Sequence, residues 1–201
     1  FAGQMTRPLA IRPVGPVELV AVRFEPDGAR DWLGAPLVSA TDRRLDMTAR
    51  LAGLSVPAGD PEGQAVAVAD WLETQRRLGG WRIEPEVRAE IAVIRADRPT
   101  PARGPAEQRA LQRRFLDRTG VSPRALRSVF RFRAVFDHAL GDDAAGWLEA
   151  GLAAGYFDQP QMARDFRRFL GCTATEWARE QVELARALAT ESYKTPRDAA
   201  V

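Results

Sequence analysis

Two side chains in this 201-residue sequence could pair as nucleophile and base, Cys172 and His138, and each is the only residue of its type. Nothing in the spacing brings them together. A single cysteine excludes an intramolecular disulfide and CxxC-type metal knuckles, and a single histidine removes His-cluster zinc sites. The sequence also lacks a Gly-rich phosphate loop and a nucleophile elbow. It therefore predicts no enzyme, no metal and no cofactor. Cys172 reads as a small structural residue after a helix end, and His138 as a packing or capping residue among apolar neighbours.

The arginines and glutamines suggest another chemistry. Of 29 cationic residues all but Lys194 are arginine. Residues 1–100 balance 13 Arg against 14 Asp and Glu, whereas residues 103–133 carry nine Arg against only Glu107 and Asp117. Such a stripe is a footprint of phosphate binding, although a solvated helical face gives the same pattern. A second polar set follows Gly155: Gln159, Gln161, Arg164, Arg167 and Arg168 share a helix whose other face holds Met162, Phe166 and Phe169. Arginine and glutamine match the hydrogen-bonding edges of guanine and adenine, and recognition helices read bases from their first turns.

The rest of the chain must position these groups. Its 45% apolar and 28% charged residues are ordinary for a globular protein, and no apolar run approaches the roughly 18 residues of a membrane helix. Alternation over Val17–Phe24, between Pro13–Pro16 and the turn Pro26-Asp27-Gly28, predicts a strand. From Asp60 the period becomes helical, with Pro61 at a helix start and Gly79-Gly80 at its end; Val66, Ala69, Trp71, Leu72, Gln75 and Leu78 follow at helical spacing. A second helix runs Pro85–Ala96 with Val87, Ile91 and Ile94 on one face, and Arg98–Pro105 then breaks the structure. Beyond it the helical segments are a short one ending before Gly120, one from Ser122-Pro123 to Gly141, Trp147–Ala154, one capped by Asp158 and stopped by Gly171, and Thr175–Thr190. Trp147 and Trp177 are core candidates.

The run Gly155-Tyr156-Phe157-Asp158-Gln159 with Phe166, Phe169 and Gly171 resembles the second helix-turn-helix signature of the AraC family of bacterial transcription regulators. Leu111, Arg114, Phe115, Gly120, Ser122-Pro123 and Leu126 are similar to the end of that family's first helix-turn-helix and its linker helix. Gly3–Pro8 and Val22–Gly28 resemble the amino-terminal region of a subgroup with a cupin-like sensor domain, whose front is then expected before Phe1. The resemblance implies two helix-turn-helix units joined by a long helix and entering successive major-groove segments. Two departures stand out: Arg98–Pro105 is too short and Pro-rich for the helix that normally precedes the first recognition helix, and Ala174 replaces a usual proline.

The expected fold is mainly α, with residues 1–60 as a β-rich, cupin-like remnant, 61–97 as a helical dimerisation or connector region, 98–105 as linker, 106–190 as the double helix-turn-helix domain and 191–201 as a tail. The expected function is sequence-specific binding of double-stranded DNA. Arg109, Gln112 and Arg113 form the weaker base-reading set, and Gln159, Gln161 and Arg164 the stronger; Arg124, Arg127, Arg167, Arg168 and Thr173 hold phosphates. A homodimer, contact with RNA polymerase, an unidentified small-molecule effector and a bacterial cytoplasmic location complete this reading, with no membrane partner. The alternative is a degenerate helix-turn-helix protein serving as a protein-interaction module.

Overall fold

The structure, a computed structural model, describes residues 1–9, 19–139 and 146–192, with residues 184–192 described by backbone alone. Among the described residues there are eight α-helices and no strand. The chain divides into two compact units, Phe1–Phe130 and Arg131–Val201.

The first unit begins with α1 (Arg30–Leu33), a 3-10 turn at Leu37–Ala40 and another at Thr48–Leu51. The β-rich segment expected over residues 1–60 is not seen among the described residues; Pro13–Pro16 and the first two residues of the expected strand, Val17 and Glu18, lie outside them. Residues 19–24 form no ladder, and the pairing present is an isolated antiparallel bridge between Ala2 and Arg44. Alternation marks a chain with two unlike faces, but a strand also needs a neighbour for its N–H and C=O groups. Among the described residues no such neighbour is present, and Leu19 and Val22 are exposed. The turn at Pro26-Asp27-Gly28 does form, closed by the Gly28 amide donating to the Glu25 carbonyl at 2.8 Å.

The helices follow the sequence closely. Prolines open α2 (Pro61–Gly79), α3 (Pro85–Arg95) and α4 (Pro105–Thr119), where the missing N–H would have no intrahelical partner anyway. Gly80 and Gly120 close α2 and α4 in the left-handed conformation, at φ of 57° and 78°. Residues 96–104 contain no helix, so the helix preceding α4 is α3. Val87, Ile91 and Ile94 of α3 bury against Leu111 and Phe115 of α4 and Leu126 of α5 (Pro123–Ala139). Helix α2 buries no residue fully.

The segment Arg98–Pro105 is not a free linker. Thr100 Oγ1 and Arg103 Nη1 donate to the buried Glu90 carboxylate at 3.0 and 2.9 Å, tying the segment to α3. The division between units falls at Phe130/Arg131 inside α5 instead. The second unit continues with α6 (Trp147–Ala153), α7 (Gln159–Leu170) and α8 (Ala174–Ser192). Its core joins Phe132, Val135, Ala150, Tyr156, Met162 and Phe166, with Phe136, Trp147 and Phe169 packed around them. Trp177 stacks edge-on against Phe136 and Trp147, at 5.0 and 5.6 Å between ring centres. The expected helix end at Gly141–Asp143, the tail from residue 193 and the side chains of Leu184 and Leu188 lie outside the described residues. No helix among the described residues is long and apolar enough to cross a membrane.

Candidate nucleic-acid interface

Helix α7 sits behind a tight turn that its sequence specifies in detail. Gly155 takes φ 85°, which only glycine adopts without strain. Asp158 then caps the helix, its Oδ1 accepting the Gln161 amide at 2.6 Å, and Gly171 ends it at φ 78°. Helices α6 and α7 approach closely because Gly151 has no side chain: a Cβ there would lie 2.5 Å from the Met162 sulfur. Tyr156 buries its ring and donates from its hydroxyl to Asp165 at 2.9 Å, while the Arg131 guanidinium lies 4.7 Å above that ring. Burial, then the Asp165 carboxylate, push the Tyr156 phenol above its usual range, so it remains a neutral donor.

With Met162 and Phe166 buried, Arg164, Arg167 and Arg168 emerge on the opposite face, and Gln159 is exposed at the first turn. Gln161 is only half exposed, and its Oε1 accepts the Phe157 amide at 3.1 Å. A glutamine reading adenine uses its oxygen and nitrogen together. Gln161 as placed has one lone pair of that oxygen engaged by the Phe157 amide. Phe157, which the sequence reading left without a role, is 91% exposed immediately before the cap. The signal available was its position between a buried tyrosine and a capping aspartate.

Thr173 serves a different end from the expected phosphate contact. Its amide and hydroxyl donate to Glu176 Oε2 at 2.7 and 2.8 Å, and Glu176 N donates back to Thr173 Oγ1. This reciprocal cap starts α8 at Ala174 without the usual proline. Cys172 is half-buried; burial, then Glu180 and Glu176, push its thiol up, so it stays protonated at neutral pH. His138 is exposed in the last turn of α5, which corrects the packing half of its reading as a packing or capping residue.

On α4 the predicted set shares one stripe. Arg109, Gln112, Arg113 and Leu116 are exposed, and Leu111, Phe115 and Arg118 form the buried side. The basic stripe is narrower than the sequence suggests, because carboxylates from outside it pair with five of its nine arginines. Arg103 meets Glu90, Arg114 meets Glu86, Arg118 meets Asp31 and Glu84, Arg127 meets Asp97, and Arg131 meets Asp165. Arg127 also donates to the Arg98 carbonyl at 3.1 Å, which commits it to closing the end of α3. Arg109, Arg113, Arg124 and Arg133 are exposed and form none of these pairs.

A helix, a glycine turn and a second helix presenting arginines outward define a helix-turn-helix unit, one of the major-groove-reading classes. Residues 105–180 match the family model described as a helix-turn-helix domain, of AraC type, which supports an AraC-type DNA-binding domain over this stretch. The match points to a DNA-binding transcription regulator. No curated protein and no solved structure matches the chain.

Proposed function

We propose that this chain is a sequence-specific DNA-binding regulator of transcription that works in the bacterial cytoplasm, with no reaction, metal or cofactor assigned to it. The observation that carries this reading is the face of α7: Gln159, Arg164, Arg167 and Arg168 stand exposed behind a capped glycine turn. In the major groove Arg164 reads a guanine edge and Gln159 an adjacent base, while Arg167 and Arg168 meet phosphates. Phe157 supplies an apolar surface suited to a thymine methyl. Arg109, Gln112 and Arg113 form the second base-reading set, with Arg124 on a phosphate. A homodimer belongs to this reading, with α2 as its interface through the exposed Val66 and Leu78; gel filtration of Val66→Glu tests that part, and an unchanged dimer overturns it.

Selection of binding sites from a random duplex pool tests the whole. An enriched motif that weakens at one position with Arg164→Ala and at another with Gln159→Ala is the expected result. Salt-sensitive binding without enrichment reduces the chain to a non-specific binder. The interaction-module reading draws on one observation, the helix-free segment 96–104 ahead of α4, and is favoured if no DNA binding appears even at low salt.

A further inference from the structure

The carboxyl end of α4 is tethered by side chains from well before it in the chain. Helix α3 covers the apolar flank at Leu111 and Phe115. The last turn is gripped by residues that lie far outside the matched stretch. Thr41 Oγ1 donates to the Gly120 carbonyl at 2.6 Å. A Cβ on Gly120 would stand 2.9 Å from the Leu37 carbonyl oxygen, so the 3-10 turn presses directly on the helix terminus. Arg30 Nε donates to Asp117 Oδ2 at 3.0 Å. The buried Arg118 guanidinium is satisfied by Asp31 at 2.8 Å, Glu84 at 2.9 Å and the Arg82 carbonyl at 3.1 Å. Carbonyls at a helix terminus have no intrahelical partners, and a buried guanidinium needs its carboxylates, so neither feature is at rest without the amino-terminal segment.

We propose that the segment Arg30–Thr41 is a working part of the first DNA-reading unit: together with α3 it positions α4, and with it Arg109, Gln112 and Arg113. Asp31, Arg30 and Thr41 are positioning residues that touch no DNA. The inference rests on the DNA-binding reading for its consequence, and on the geometry alone for the support of α4. A change in residues 30–41 therefore alters base preference at the half-site read by α4 and leaves the half-site read by α7 intact.

The test uses the full chain with Thr41→Val, Thr41→Ser, Arg30→Asp and the exchanged pair Arg30→Asp/Asp117→Arg. Hydrogen exchange is followed in residues 105–119 and 159–170. Thr41→Val and Arg30→Asp are expected to speed exchange in the first segment about tenfold, the effect of one lost hydrogen bond, and to leave the second unchanged. Thr41→Ser and the exchanged pair restore protection. Binding-site selection then reads the bound fraction alone: base preference is lost at the positions that Arg113→Ala weakens and kept at those that Arg164→Ala weakens. A merely structural role lowers the amount of active protein without altering that preference. Unchanged exchange in 105–119, equal loss in both segments, or equal loss of preference in both half-sites overturns the proposal. If exchange responds as expected but the wild-type chain selects no site, the DNA reading fails while the support of α4 stands.

Discussion

At Gln161 two duties meet in one side chain. Its oxygen holds the Phe157 amide and its backbone amide binds Asp158, so the residue is part of the cap before it is part of any base contact. Gln161→Glu keeps an acceptor at that position and is expected to leave thermal stability near wild type while weakening DNA binding through repulsion of phosphates; melting and titration by anisotropy check the two effects separately. Arg164→Ala should likewise weaken binding, by roughly 1–3 kcal/mol, and relax one position of the site with little change in melting. Asp31 yields a pH prediction. Burial pushes its carboxyl up, but the hydrogen bonds from Arg118 and the Arg82 amide, with the charges of Arg118 and Arg30, outweigh burial and hold it below its ordinary value. A carboxylate lowered by folding contributes stability that is complete above the unfolded value, about 3.9, and is lost as pH falls through the folded one. Urea unfolding of the first unit should weaken below pH about 4, and Asp31→Asn should flatten that dependence. None of these pairings could be read from the sequence, where Asp31 and Arg118 are simply two charges in distant segments.

The helices were legible because their ends carry local instructions. Proline at the first turn of α2, α3 and α4 and glycine beyond α2, α4 and α7 need no tertiary information to act. Gly120 shows where a local signal gains a second meaning, since its φ of 78° suits glycine and the Leu37 carbonyl leaves no room for a Cβ. Gly120→Ala is therefore expected to cost more than the roughly 1–2 kcal/mol of a left-handed alanine, measured as a lowered denaturant midpoint for the first unit with the second unaffected. Residues 19–24 of the expected strand form no ladder for the opposite reason: alternation is local, but a ladder is a relation between two segments. Thr173 was read as a phosphate contact from its place after α7, and only the reciprocal bonds with Glu176 reveal a cap. Thr173→Ala should cost about 1 kcal/mol of stability and leave the salt dependence of DNA binding unchanged.

Across the whole molecule, charge is the quantity that the sequence most overstates. Nine arginines in residues 103–133 read as one basic stripe, yet Arg103, Arg114, Arg118, Arg127 and Arg131 are paired with carboxylates brought in by folding. The slope of log affinity against log salt should fall by about 0.9 for Arg124→Ala and for Arg168→Ala, and stay unchanged for Arg127→Ala; equal effects at all three would contradict the pairing. By itself the sequence determined the helical character, the capped glycine turn before α7, the apolar faces of α3, α4 and α7, and the helix-turn-helix resemblance over residues 106–180. These depend on backbone preferences and on periodicity, which act over a few residues. The tertiary structure alone decided which arginines remain available, that residues 98–105 are bound to α3, that the compact units divide within α5, and that Arg30–Thr41 closes the end of α4. Ion pairs and helix supports join residues distant in the chain, and their partners are chosen only when folding brings them within reach.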